Sequence, residues 1–310
     1  MANLGYIQVT RTCNQACIFC SNPELDREAT LADVEGLVDD FVARGYDGVI
    51  ITGGEPTLFC QLPELIAYAT SKGLGVRMIT NGQKTCDMDF LRPLYDAGLR
   101  HVHQSVYTHD PEIQARLTGR AESHVNLCAS LDNFGALEMQ VDVNITIQRY
   151  NANHLDRVVV WLLERWPFIH HVVFNNLDPT SDRVAENRDV VHKLADMEPF
   201  LFRALSYLER HGRTYRVERV PLCYMTEFAH ASTETRKIVK GEERIVHFLD
   251  EKGMVRQTDW EHGKADVCAG CSLTSICAGL FEMDNFYQSS ELYPLFVPKE
   301  PIVRRILKGR

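Results

Sequence analysis

The strongest constraint on the fold is an alternation. Between residues 5 and about 210, short β-rich runs are each followed by a longer run with apolar residues at helical spacing, six times over. The strand-like runs lie at 5–9, 48–52, 75–80, 101–106, 141–147 and 171–175. The helical ones lie at 31–42, 62–71, 88–97, 111–134 (one or two helices, broken near Gly119), 154–166 and 187–211. Repeated strand–helix units predict a parallel sheet with right-handed crossovers. Six units fall short of the eight that close a barrel. The expected fold is therefore α/β: a partial (β/α)6 TIM-like barrel, an open curved sheet with its mouth at the strand C-termini.

From Tyr215 onward the rhythm changes. One strand is expected over 216–220, and runs at 245–249 and 254–255 flank a hairpin turn at 250–253. Four clustered cysteines also fall here. The expected boundary is near Gly212, giving a barrel domain over 1–212 and a small cysteine-rich α+β extension over 213–310.

Cys13, Cys17 and Cys20 sit in one loop just after the first strand-like run. Three thiolates on a tight loop can hold three irons of a cubane [4Fe–4S] cluster and leave the fourth open to a small molecule. Positions 13, 17 and 20 would also share one helix face, so buried packing is the alternative. Asn14 and Gln15 between the cysteines, and the strand before them, argue against a helix.

No apolar run reaches the roughly 18 residues of a membrane helix, and no basic-then-apolar signal peptide opens the chain. A cytoplasmic location is expected, where the ten cysteines are reduced thiols or metal ligands rather than disulfides. Net charge is −9, and the only concentrated basic stretch is the tail at 304–310, so neither nucleic acid nor membrane is an expected partner.

A second motif, Gly53-Gly54-Glu55-Pro56, ends the second strand and so lies at the same mouth as the cysteine loop. Two glycines permit close approach to the backbone, and Glu55 offers an acceptor for an ammonium group. Alone, the motif could be a plain strand-to-helix turn. Together with Cys13-x3-Cys17-x2-Cys20 and its aromatic Phe19, it resembles the radical S-adenosylmethionine (radical SAM) superfamily across most of residues 5–180. That resemblance implies that SAM chelates the open iron and is cleaved reductively to methionine and a 5′-deoxyadenosyl radical, which abstracts a substrate hydrogen.

The resemblance carries further residues with it. Ser105 ends the fourth strand and Arg116 lies downstream, matching family contacts to the SAM ribose and carboxylate; Arg120 is the other arginine in reach. Asn144, on the fifth strand, matches a ribose contact, or is a buried asparagine paired to backbone. Asn175 and Asn176 end strand six and face substrate or cap the turn.

Cys223, Cys268, Cys271 and Cys277 make a third constellation. Their spacing suits a second [4Fe–4S] cluster or a structural zinc ion. The stretch resembles the auxiliary-cluster extensions called SPASM and Twitch. Phe281 stands where the full SPASM pattern has another cysteine, so one auxiliary cluster is implied, as in Twitch. Cys223 is then its fourth ligand, or instead a hydrogen-atom donor of the kind used by some peptide epimerases. Cys60, Cys86 and Cys128 read as ordinary buried thiols. His101, His103, His170 and His171 lack a spaced acidic partner and read as structural, while His109 is kept as a site candidate near the mouth.

The resemblance implies two substrate classes. One is a ribosomally synthesised peptide, modified by crosslinking, epimerisation, excision or oxidation. The other is a small molecule such as an amino sugar or nucleotide. Only twelve residues precede Cys13, so a peptide is expected to dock directly or through a separate leader-recognition protein. A flavodoxin-type reductase is the expected electron donor. A non-catalytic iron–sulfur or zinc protein is the remaining alternative.

Overall fold

The computed structural model describes residues 4–22, 26–249 and 253–309. The alternation read from the sequence is present. Its units are β1 (Leu4–Thr10) and α1 (Leu31–Ala43), β2 (Gly48–Gly53) and α2 (Leu62–Ser71), and β3 (Gly75–Thr80) and α3 (Met88–Asp96). β4 (His101–Ser105) is followed by two helices, α4 (Pro111–Thr118) and α5 (Ser123–Ala136). Then come β5 (Gln140–Ile147), α6 (Leu155–Arg165) and β6 (His171–Asn176). Local chemistry sets several of these boundaries. Thr30 and Asp33 form a reciprocal capping box at the start of α1. Asp110 and Pro111 start α4, and Gly119 ends it in the left-handed conformation at φ 68°.

The helix expected over 187–211 is not one helix. A short α7 (Asp182–Glu186) and a single 3-10 turn at Arg188–Val190 precede α8 (Leu194–Arg210). The Arg149 N–H donates to the Val190 carbonyl at 2.8 Å, tying this stretch to the loop after β5 and taking that carbonyl out of any helical ladder.

The sheet also runs beyond six strands. β7 (Thr214–Glu218) pairs with β6 in parallel, making β6–α8–β7 a further unit. After α9 (Thr233–Lys240), β8 (Arg244–His247) pairs in parallel with β1, and β9 (Met254–Gln257) is antiparallel to β8. The order is β7-β6-β5-β4-β3-β2-β1-β8-β9, and the sheet is not closed. The hairpin turn expected at 250–253 falls mostly on residues 250–252, outside the described residues. The last helix is α10 (Glu300–Leu307).

The outer face of the sheet is apolar: Ile7, Val9, Ile51, Met78, Val102, Val143 and Phe174 are buried with Phe41, Leu65, Leu131 and Leu162 of the helices. Each such side chain contributes on the order of 1.5–3 kcal/mol. The inner face is polar. Register partners on parallel strands share a face, and the inner one carries Arg77, His101, His103, Ser105, Asp142, Asn144, Asn175, Arg216 and Glu218. Apolar packing therefore holds the helices outside and leaves a polar lumen. No helix among the described residues is long and apolar enough to cross a membrane.

Candidate active site

The cysteine loop leaves β1 at Thr10 and is not helical, so the packing-face alternative does not hold. Ala16 N–H donates to the Thr118 carbonyl at 2.9 Å and Ile18 N–H to that of Leu117 at 3.0 Å, clamping the loop on the end of α4. Cys13 and Cys20 are partly exposed, and Cys17 is buried. Gln15 N–H points at Cys13 Sγ (3.4 Å) and Asn22 N–H at Cys20 Sγ (3.4 Å). Backbone donors of this kind favour a thiolate. Burial pushes the Cys13 and Cys17 thiols up, Cys17 the further, and the neighbouring cysteines push the same way. Such a group stays a thiol until a metal takes the place of its proton. Three soft donors converging on one loop fit an iron–sulfur cluster.

The glycine motif packs on that loop. Gly54 N–H donates to Thr10 O at 2.7 Å and Glu55 N–H to Thr12 O at 2.9 Å. A Cβ at Gly53 would lie 2.3 Å from Thr10 O, and one at Gly54 2.3 Å from Thr12 O. The close approach these glycines permit is thus the approach of the cysteine loop itself. Pro56 is buried and opens a 3-10 turn, Pro56–Leu58, which Glu55 caps.

Glu55 is 1% exposed. Its Oε1 accepts from the Thr57 N–H (3.2 Å), the Thr57 hydroxyl (2.7 Å) and the Thr80 hydroxyl (2.8 Å), and its Oε2 accepts from the Asn81 N–H (2.8 Å). Burial raises its pKa against the pull of these four donors. Oε2, with one partner, keeps acceptor capacity for a cation. Asn81 Nδ2 donates to Asn14 Oδ1 at 2.8 Å and lies 3.7 Å from Cys13 Sγ, so Asn81 bridges the glutamate and the cysteine loop. In the sequence Asn81-Gly82 reads only as a turn, and Asn81 was not among the expected site residues.

Phe19 is buried against Tyr107, ring centroids 4.7 Å apart and edge-on. Burial and the neighbouring cysteines raise the pKa of the Tyr107 hydroxyl, against the pull of Ser105. Tyr107, two residues beyond β4, also escaped the sequence reading. Ser105 and Asn144 are register partners and project together into the lumen.

The structure does not bring Arg116 into this group. It is exposed, stacks on Tyr150 at 4.2 Å and faces Asp189 at 3.7 Å. Arg120 is the arginine that reaches the loop, donating from Nε to Asn14 O at 2.9 Å. Arg183 lies on the other side, Nη1 to Cys17 O at 3.3 Å. Asn175 faces the lumen opposite Glu218, whereas Asn176 is buried and donates to Arg219 O at 3.1 Å. His109 packs edge-on to His154.

His101 and His103 have an acidic partner after all. Asp142 comes from the adjacent strand, 2.8 Å from His101 Nε2 and 3.7 Å from His103 Nδ1. Burial pulls His103 down to about 4.

The C-terminal cysteines come together from distant stretches. Cys223, on the 3-10 turn Leu222–Tyr224, lines one small, largely apolar cavity of about 20 Å³ with Cys268, Cys271 and Cys277. Leu222, Leu273, Leu292 and Leu295 form its walls. Gly279 N–H points at Cys277 Sγ (3.3 Å) and Leu295 N–H at Cys271 Sγ (3.3 Å). Burial pushes Cys223 up to about 12. Phe281 packs edge-on to His262. Of the three remaining cysteines, Cys128 is buried and Cys86 partly so, but Cys60 is exposed. Cys60 lies between the Pro56–Leu58 turn and α2, off the face that packs on the sheet.

The radical SAM superfamily profile matches residues 7–162, half of the chain. The chain belongs to the radical SAM superfamily, whose enzymes use a [4Fe–4S] cluster and SAM. A PqqA peptide cyclase of Xanthomonas campestris pv. campestris is 32% identical over 162 residues, 51% of this chain and 43% of that protein. The Fe-coproporphyrin III synthase of Methanosarcina barkeri is 34% identical over 102 residues, 32% of this chain and 25% of that protein. The chain thus spans less than half the length of these curated relatives. Among solved structures, Streptococcus suis SuiB bound to S-adenosylmethionine has a TM-score of 0.66 at 15% identity, covering 94% of this chain and 76% of its own. Native anSMEcpe with bound AdoMet has a TM-score of 0.65 at 14% identity, covering 99% and 96%. At these identities the likeness is one of fold.

Proposed function

We propose that this chain is a radical SAM maturase of a ribosomally synthesised peptide. Cys13, Cys17 and Cys20 would hold the [4Fe–4S] cluster, leaving one iron for the amino and carboxylate groups of SAM. Glu55 would face the ammonium, Asn81 would keep Glu55 and the cysteine loop in register, and Phe19 with Tyr107 would keep water from the sulfurs. Gly53, Gly54 and Pro56 shape the contact between the two loops. Ser105 and Asn144 are the lumen groups placed to meet the ribose, and Arg116 or Arg120 the carboxylate. When bound and reduced, cluster and SAM supply a 5′-deoxyadenosyl radical, which takes a hydrogen from substrate.

The division at Gly212 assigns SAM cleavage to residues 1–212 and an auxiliary [4Fe–4S] cluster, in a Twitch-like extension, to 213–310. Cys223, Cys268, Cys271 and Cys277 would be its ligands. A cluster is read over zinc on the likeness of this cysteine spacing to the auxiliary-cluster extensions. With all four thiols on one cavity, Cys223 reads as ligand before hydrogen donor.

The peptide reading rests on one observation, the 32% identity to PqqA peptide cyclase. SuiB bound to its precursor peptide SuiA shares the fold at a TM-score of 0.57 and 17% identity, over 73% of this chain and 51% of that one. The protein would work in the cytoplasm with a flavodoxin-type electron donor, and with a separate leader-recognition protein if the peptide does not dock directly. A small-molecule substrate is the second reading, supported by the identity to Fe-coproporphyrin III synthase. The test is to incubate reduced, cluster-loaded protein and SAM with a short peptide encoded beside its gene. A mass change in the peptide coupled to 5′-deoxyadenosine is expected. An unchanged peptide, with 5′-deoxyadenosine still formed, would turn the assignment to a small molecule.

A further inference from the structure

We propose that His101, His103 and Asp142 form a binding site for one divalent transition-metal ion of the zinc class, in the barrel lumen and separate from both cysteine groups. His101 and His103 alternate on β4 and so share a face. Asp142 is the register partner of His103 on β5, which puts all three side chains on the lumen wall. The two imidazoles are stacked at 4.9 Å, and one donor atom from each of the three residues lies within 4.8 Å of the others. A metal bound at about 2.1 Å needs ligand separations near ~3.4 Å, so small side-chain rotations close the set.

Burial and unmet hydrogen bonding point the same way. The side chains of His101, His103 and Asp142 are 10%, 13% and 6% exposed. A plain His101–Asp142 hydrogen bond would account for one pair, but Asp142 Oδ1 and His103 Nε2 are buried without a partner. An unmet buried acceptor costs about 1–3 kcal/mol.

Donor chemistry decides the metal. Two imidazoles and one carboxylate suit Zn²⁺, Co²⁺ or Fe²⁺, whereas Ca²⁺ and Mg²⁺ want oxygen, and iron–sulfur clusters want thiolate. Arg77 on β3 and His171 on β6 flank the triad in register. Neither neighbour adds an oxygen donor of the kind a hard cation needs. Three protein ligands leave a coordination position open, as in catalytic zinc sites. At roughly 6.6 Å per two-residue step, His103 lies one step and His101 two steps below Ser105, toward the strand N-termini. The site therefore lies on the lumen wall toward the strand N-termini, away from the cysteine loop.

The test is titration of the full, cluster-loaded chain with Co²⁺, followed by displacement with Zn²⁺. One equivalent is expected, with ligand-field bands of nitrogen and oxygen donors and without thiolate-to-cobalt charge transfer. Asp142→Asn and His103→Gln should each weaken binding at least ~10–100-fold, while the cluster absorbance and far-ultraviolet circular dichroism stay unchanged. No cobalt beyond the clusters, a thiolate charge-transfer band, or equal affinity in a folded variant would each overturn the proposal. Should both variants fail to fold, the wild-type stoichiometry and band positions decide between nitrogen–oxygen and sulfur ligation. None of these readouts depends on SAM cleavage or on the substrate.

Discussion

The two cysteine groups are built in opposite ways. Cys13, Cys17 and Cys20 lie within eight residues on a loop held by backbone hydrogen bonds to α4 and β2, at the mouth of a polar lumen. Cys223, Cys268, Cys271 and Cys277 span 55 residues and line a leucine-walled cavity. Three thiols on a [4Fe–4S] cluster leave one iron for a small molecule, and four do not. The contrast teaches that ligand count and spacing along the chain separate a reactive site from a supporting one.

Removing all three loop cysteines should have the largest effect. Cys13→Ala, Cys17→Ala and Cys20→Ala together should abolish 5′-deoxyadenosine formation and remove about four irons per chain, leaving the C-terminal iron. Loss of all the iron would break the separation of the two groups. Next comes Cys223→Ser, which should lower iron content at the C-terminal site alone. If the iron stays and the product disappears, Cys223 is the hydrogen donor and the C-terminal group has a catalytic member.

Gly54→Ala drives a methyl into Thr12 O and should force the glycine motif off the cysteine loop. A cost of about 1–3 kcal/mol is expected, read as a lower Tm together with weaker SAM binding. A normal Tm and normal SAM binding would mean that the two loops are not held by this contact.

Acid should act on the barrel before the cysteine loop. His103, His171, His192 and His230 are all pulled by burial from 6.5 to about 4 in the folded chain. Their contribution to stability is present above pH 6.5 and is lost as the pH falls toward about 4, because the unfolded chain takes up the protons. Glu234, raised to about 7, opposes this over part of the range. Tm should therefore fall across this window, measured by calorimetry on the cluster-free protein; a flat Tm would contradict the burial of these imidazoles. The smallest effect belongs to Asn81→Ala. Losing the side-chain link to Asn14, worth about 1 kcal/mol, should weaken SAM binding roughly fivefold, without changing iron content.

Much of this was legible in the sequence because the signals are periodic or tightly spaced. The strand–helix alternation positions β1 to β6 to within a residue or two, and the cysteine loop and glycine motif fall at one mouth because each directly follows a strand of the parallel sheet. What escaped depends on contacts between distant strands. The partnership of Asp142 with His101 and His103 exists only in the β4–β5 register. Asn81 looked like half of an Asn-Gly turn, and Tyr107 like a residue beyond a strand. Helical spacing over 187–211 concealed the break before α8, because a carbonyl captured by Arg149 leaves no mark on periodicity. Arg116 and Arg120 lie four residues apart, and spacing alone does not show that Gly119 turns the chain so that Arg120 reaches the loop.

The central claim is that the open cysteine loop binds and cuts SAM. The most direct measurement is 5′-deoxyadenosine released when anaerobically reconstituted, dithionite-reduced protein is given SAM. The account predicts its release by the wild-type chain and none by the protein lacking Cys13, Cys17 and Cys20. No release from wild-type protein carrying its full iron, or undiminished release from the triple variant, would contradict it.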